Sequence, residues 1–190
     1  MKKIILLLVC ILTLSNTSKP SKIIYIQPLG NVNQEYLTYI KTSVKEFYGY
    51  DCVVKQKVNL TNDILARSGT RYEASKILDK FNSKQNLLII TEKDIAYKKS
   101  VNFHEWGIFG LEKKKKKKCV ISTFRLKKKV STQKMLERLK KVALHEIGHN
   151  LGLEHCSNNK ECMMNDADGT IKQVDREKIW FCKKCWNIIK

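Results

Sequence analysis

The chain has 190 residues, 43% of them hydrophobic and 29% charged, which is enough apolar material for one ordinary domain and too much for a wholly disordered chain. Lys and Arg outnumber Asp and Glu by 37 to 18, and the resulting +19 raises nucleic acid, an anionic surface or a solvated basic face as its explanation. No apolar run reaches the ~20 residues of a membrane span, and the two prolines exclude collagen-like and proline-rich classes.

In chain order, Met1-Lys2-Lys3, the apolar run Ile4–Leu14 and the small polar residues Ser15–Ser18 have the layout of a secretory signal peptide. Export to the periplasm or the exterior is the expectation if residues 1–17 act as that signal, and a cytoplasmic location otherwise. Their removal takes Lys2 and Lys3 and leaves +17. Cys10 does not make a lipoprotein signal, since Val9 is not small and apolar residues continue beyond it.

Ile23–Gln27 reads as a buried strand. Leu37, Ile40, Val44 and Phe47 recur at helical spacing and predict an amphipathic helix over 34–48. Tyr50–Val58 reads as a strand, and Tyr72, Ala74, Ile77, Leu78 and Phe81 mark a second helix after Gly69-Thr70. Leu87–Thr91 is a short, continuously apolar strand. Trp106–Phe109 and Cys119–Thr123 are two more, with the lysine run Lys113–Lys118 between them. Ser131 is the expected N-cap of a helix running to about Leu151. Beyond Gly152 the chain turns polar and cysteine-rich. This order predicts an α+β fold, a mixed sheet with helices packed on it. One domain over 18–190 is expected, with an N-terminal part (22–152) and a small C-terminal subdomain (153–190).

The last long helix contains His145-Glu146-Ile147-Gly148-His149. Residues four apart on a helix lie only about 40° apart around its axis, so both imidazoles share one side and can bind one metal ion. Glu146 is left to face a metal-bound water. Gly152 suits a helix stop with positive φ, and His155 follows three residues later, placed to return as a third ligand. Three histidines leave one tetrahedral position open, the pattern of a catalytic zinc. His104, the fourth histidine, reads as an ordinary loop residue.

Cys182-Lys183-Lys184-Cys185 is a CxxC pair, and Cys156 and Cys162 form a second pair. Four thiolates in two pairs suit a closed structural zinc. Two disulfides in an exported chain, or a redox-active CxxC, are the competing readings. Cys52 and Cys119 sit on predicted strands, as buried thiols or as a pair formed after export. Met163-Met164 reads on spacing alone as core packing.

His145-Glu146-x-x-His149-x-x-Gly152-x-x-His155-Cys156, then Cys162-x-Met164, then Cys182-x-x-Cys185, resembles the archaemetzincins. Trp106–Gly110 and Ile121–Leu126 also look like segments of that family, and the likeness spans Lys22 to Lys190. Five residues, Ser157–Glu161, separate the first two cysteines where the family usually has four. The resemblance implies a metzincin-like, mostly parallel mixed sheet with an active-site helix and a C-terminal subdomain built on a four-cysteine zinc. It implies two zinc ions per chain, one catalytic on His145, His149 and His155 and one structural on Cys156, Cys162, Cys182 and Cys185. It makes Glu146 the general base and Met164 a methionine turn beneath the metal.

The expected activity is peptide-bond hydrolysis by a zinc-activated water, with Glu146 taking the water proton and passing it to the leaving amine. An extended peptide is expected to pair against the strand around Trp106, Gly107, Ile108 and Phe109, and Arg125 or a backbone N–H is the candidate second oxyanion donor. A non-catalytic zinc-stabilised binding module with a basic face, or a zinc amidase on non-peptide amides, are the alternatives. The lysine runs Lys113–Lys118 and Lys127–Lys129 lack interleaved aromatics, so a solvated hairpin loop is expected rather than a nucleic-acid surface. The expected partner is a peptide or protein substrate, and a monomer is the expected state.

Overall fold

In the computed structural model, which describes residues 22–100, 105–113, 116–167 and 169–189, the continuous apolar runs become central strands. The predicted signal peptide and His104 lie outside these residues. β1 (Ile23–Pro28), β4 (Leu87–Thr91) and β8 (Lys118–Ser122) sit in the middle of a five-stranded sheet, and β4 and β8 are buried along their whole length. The sheet order is β2-β1-β4-β8-β7, with β2 (Asp51–Val54) at one edge and β7 (Gly110–Lys113) at the other. The first four strands are parallel; only β7 runs antiparallel, pairing Gly110 with Ile121 and Lys113 with Lys118.

Strand alternation divides the core into two layers. Leu88, Ile90, Cys119 and Ile121 face α1 (Gln34–Tyr48) and α3 (Thr132–Asn150). Leu87, Ile89 and Val120 face α2 (Ala74–Lys80) on the other side. With both faces covered, the strands read as unbroken apolar runs. A smaller sheet of β3 (Tyr72–Glu73), β5 (Ile95–Tyr97) and β6 (Trp106–Ile108) lies beside the first.

α1 starts on Asn33, whose Oδ1 accepts from Glu35 N at 3.0 Å, and α3 on Ser131, whose Oγ accepts from Lys134 N at 3.3 Å. The C-terminal part contains α4 (Ile171–Arg176) and α5 (Lys183–Ile189). Arg138 of α3 holds α4 through two bonds to Asp175, at 2.8 and 2.6 Å. Phe47 of α1 meets Phe181 edge-on and stacks on Trp186 of α5. α3 is thus enclosed by the sheet, α1 and the C-terminal helices.

Several elements depart from expectation. The strand expected over Tyr50–Val58 stops at Val54, and Val58 survives as an isolated bridge to Leu29. Tyr72 and Glu73 are drawn into β3 by pairing with β5, so α2 begins only at Ala74. β5 and β7 have no periodic sequence signal; pairing makes them strands, as happens where tertiary context outweighs local preference. Cys52 and Cys119 do not pair, because β1 and β4 stand between their strands and both thiols are free.

The solvated lysine loop also needs correction at its ends. Lys113 belongs to β7 and pairs with Asp79. Lys118 is buried, and its ammonium donates to the carbonyls of Leu78 and Phe81, where α2 ends. Among the described residues no helix is long and apolar enough to cross a membrane. Lys118→Ala should cost about 1–3 kcal/mol by stranding those carbonyls. Lys116→Ala, in the exposed turn, should stay within about 0.5 kcal/mol, both measured by urea unfolding.

Candidate active site

Helical spacing puts His145 and His149 on the same side of α3, and the chain reversal after it brings back His155. The reversal is a Schellman turn: Gly152, at φ 101°, donates to His149 O at 2.9 Å and Leu153 N donates to Gly148 O at 3.0 Å. The three histidines each bring a ring nitrogen into one cluster, all within 4.8 Å of one another. Nε2 of His145 and Nε2 of His149 lie 3.0 Å apart, close to the ~3.3 Å edge of a tetrahedron with Zn–N near 2.05 Å.

The opposite nitrogens fix the tautomers. His145 Nδ1 donates to Met163 O at 2.6 Å, and His149 Nδ1 donates to Leu153 O at 2.7 Å. Each ring therefore turns its Nε2 lone pair toward the cluster. Burial, reinforced by His149, pushes the His145 imidazolium pKa down to about 3, so this ring is neutral at any working pH. His155 is more exposed and has its Nδ1 3.5 Å from an Asp166 oxygen.

Glu146 is only 7% exposed, and burial, with Glu112 adding to it, raises its pKa well above the usual carboxylate range. Its Oε2 is buried with no hydrogen-bond partner, as fits an oxygen reserved for a ligand. A Cβ on Gly110 would collide with its Oε1 and lie 2.7 Å from its Cγ, so the first residue of β7 rests directly on the carboxylate. β7 is an edge strand beside the histidines: Gly110, Leu111 and Glu112 line one cavity with His145, Glu146, His149 and His155.

The strand proposed for the peptide divides here. Ile108 and Phe109 line the cavity with His145 and Glu146, but Trp106 packs on Gly169 and the place of a Gly107 side chain is filled by the Arg125 guanidinium. That guanidinium is bound to Asp94, at 2.7 and 3.0 Å, and does not line the histidine cavity. Gly110–Lys113 is the antiparallel edge strand of the larger sheet, and its first three residues line the histidine cavity.

Met163 and Met164 lie in the turn that follows Cys162. Met164 O accepts from Cys156 N at 2.7 Å, and its Sδ would touch a Cβ on Gly148 at 2.7 Å. Cys156, Cys162, Cys182 and Cys185 come together as one buried cluster. Their Sγ atoms are 3.6, 3.9 and 3.6 Å apart for 156–182, 162–185 and 182–185. A disulfide needs about 2.05 Å, whereas a tetrahedron of four thiolates with Zn–S of about 2.3 Å has edges of about 3.8 Å. Both donor sets thus fit zinc.

The cavity beside His145 has a volume of about 140 Å³ and is completed by residues the motif did not reveal, among them Lys141, Asp166 and Glu177. Lys141, one turn before His145, was legible from helical spacing. Glu177 follows α4 and reaches the site only through tertiary packing. It is 5% exposed, and burial pushes its pKa up to about 7 against hydrogen bonding from Gln173 and the charge of Lys141.

What fold and site define together is a zinc metallopeptidase. Residues 40–190 match Peptidase family M54. The chain is 34% identical over 167 residues to the archaemetzincin of Archaeoglobus fulgidus, covering 88% of this chain and 98% of that protein. It is 33% identical over 168 residues to that of Methanocaldococcus jannaschii, covering 85% and 89%. The crystal structure of the Archaeoglobus protein with malonate superposes with a TM-score of 0.77 at 32% identity, over 88% of this chain and 99% of that one. This chain belongs to peptidase family M54, the archaemetzincins.

Glu177 also makes stability depend on pH. Its folded pKa lies above the unfolded ~4.3, so the folded state binds more protons and stability falls as pH rises through the interval up to about 7. Wild type should lose roughly 1–3 kcal/mol across that window beyond what Glu177→Gln loses, measured by urea unfolding at fixed pH values.

Proposed function

We propose that this chain hydrolyses peptide bonds at the histidine cluster, with Glu146 as general base. The observation that carries the reading is the Glu146 carboxyl: buried, with Oε2 unpartnered, beside three imidazoles and under a free strand edge. His145, His149 and His155 would hold the catalytic zinc, which supplies a Lewis acid that polarises a carbonyl and acidifies water. Burial gives Glu146 the proton affinity to take a proton from that water and to deliver it to the leaving amine. β7 is an edge strand, and an extended peptide would add to it as an antiparallel strand.

A second zinc on Cys156, Cys162, Cys182 and Cys185 would clamp the turn that carries Met163 and Met164. Met164 then packs under the helix as the methionine turn, and Met163 O holds the His145 ring. The structural zinc in this reading supports the catalytic one through that carbonyl.

Glu146→Gln should retain both metals and lose about 10²–10⁴-fold of its peptide hydrolysis. Full activity in that variant, in a digest of an unbiased peptide library, sinks the role of Glu146. Elemental analysis should give two zinc ions per wild-type chain. Cys185→Ser should give one zinc ion and a thermally weaker protein, and an unchanged metal count there would remove the structural site.

A further inference from the structure

The strongest unassigned feature is an open groove of about 860 Å³ that shares Phe109 and Gly169 with the wall of the histidine cavity. Six cations line it: Arg71, Arg125, Lys127, Lys128, Lys129 and Arg138. Carboxylates offset part of this charge. Asp94 takes both Arg71 and Arg125, Glu92 takes Lys127, and Asp175 takes Arg138. No carboxylate of the described residues pairs with Lys128 or Lys129, and both are exposed. Phe124, 54% exposed, adds an apolar surface to the same wall.

Direction follows from the edge strand. β7 runs from Gly110 to Lys113, and the basic groove lies at its Phe109 end. A peptide added antiparallel to β7 runs the other way, so its residues C-terminal to the cleaved bond move toward Phe109 and into the groove. The other end of the cleft is mixed in charge: Glu112 and Glu154 line it with the histidines, and Lys113 and Lys117 stand beside them. The exposed Lys128 and Lys129 thus lie at the end of the cleft that receives the C-terminal part of the peptide, where they attract carboxylates.

We propose that the groove is a secondary substrate site that selects acidic peptide segments C-terminal to the scissile bond. Electrostatic attraction of this kind acts within a Debye length of about 8 Å at physiological salt, so binding weakens as salt rises. The occupant is an acidic peptide rather than a nucleic acid, because the groove continues into a cavity built for peptide hydrolysis and offers one exposed aromatic, Phe124, rather than a stacking platform. This inference rests on the peptidase reading, and its test is arranged so that the two can fail separately.

The binding arm uses zinc-loaded Glu146→Gln protein, which should consume the probe about 10²–10⁴-fold more slowly than wild type. The probes are a fluorescein-labelled Gly/Ser peptide carrying four consecutive glutamates, the same peptide with glutamines, and a labelled single-stranded oligonucleotide. Fluorescence anisotropy should show the glutamate peptide binding at least about tenfold more tightly than the glutamine one at low salt, the range expected of electrostatic complementarity. Adding Lys128→Glu/Lys129→Glu should abolish that difference. Lys55→Glu/Lys57→Glu, an equal charge change beside the opposite sheet edge, should preserve it.

The cleavage arm digests a randomised peptide library with wild-type protein. Asp and Glu should be enriched C-terminal to the cut, and the enrichment should vanish in Lys128→Glu/Lys129→Glu. Equal binding of both peptides, an effect of Lys55→Glu/Lys57→Glu as large as that of the groove pair, or tighter lysine-dependent binding of the oligonucleotide overturns the proposal. So does acidic enrichment only on the N-terminal side of the cut. If no library peptide is cleaved but the glutamate peptide binds through Lys128 and Lys129, the groove stands and the peptidase reading falls.

Discussion

Two hydrogen bonds from imidazole Nδ1 atoms to backbone carbonyls hold the architecture of the site together. A neutral histidine can aim one lone pair at a metal only when its other nitrogen donates elsewhere. For His149 the acceptor is Leu153 O, which the Schellman turn at the end of α3 places four residues away. For His145 it is Met163 O, eighteen residues on. That carbonyl can be in place only if the turn around Cys162 is fixed. The turn is fixed by Asn165 N to Cys162 O at 2.9 Å, by Cys156 N to Met164 O, and by the cysteine cluster itself. The small C-terminal part is thus a support for the orientation of an imidazole on the main helix.

The same constraint explains which features could be read from the chain. The N-cap at Ser131, the helix reversal at Gly152 and the spacing of His145 and His149 are local chemistry, each set by a few consecutive residues. β4 was legible to the residue because burial on both faces leaves an unbroken apolar run. α1 was equally plain, with its apolar positions at helical spacing over 34–48. The four cysteines could be grouped by spacing, but that they are free rather than disulfide-bonded came from the Sγ distances.

What stayed hidden depends on partners distant in sequence. Gly110–Lys113 has no strand pattern, and only pairing with β8 extends it. Lys118 belongs to a run of identical residues, yet it alone of the described lysines in that run is buried, because the end of α2 presents carbonyls there. Composition treats every lysine in Lys113–Lys118 and Lys127–Lys129 alike. The fold gives them separate tasks: an ion pair at Lys113, a buried cap at Lys118, and exposed charge lining a groove at Lys128 and Lys129. Net charge could raise the question of a polyanion but could not locate the surface that would meet one.

Gly110 shows how closely the edge strand and the Glu146 carboxyl are coupled. A Cβ at this position would fall 2.7 Å from both Cδ and Cγ of Glu146, a distance that real side chains do not tolerate. The edge strand can descend onto the carboxylate only because this residue has no side chain. In the proposed reading, a peptide that pairs with β7 would be held at a height set by backbone against carboxyl rather than by a flexible side chain between them. Because β7 is itself anchored through its register with β8, the position of the Glu146 carboxyl relative to this edge is inherited from the centre of the sheet. A readily recognised motif on a helix is therefore half of the machinery, and an unmarked strand supplies the other half.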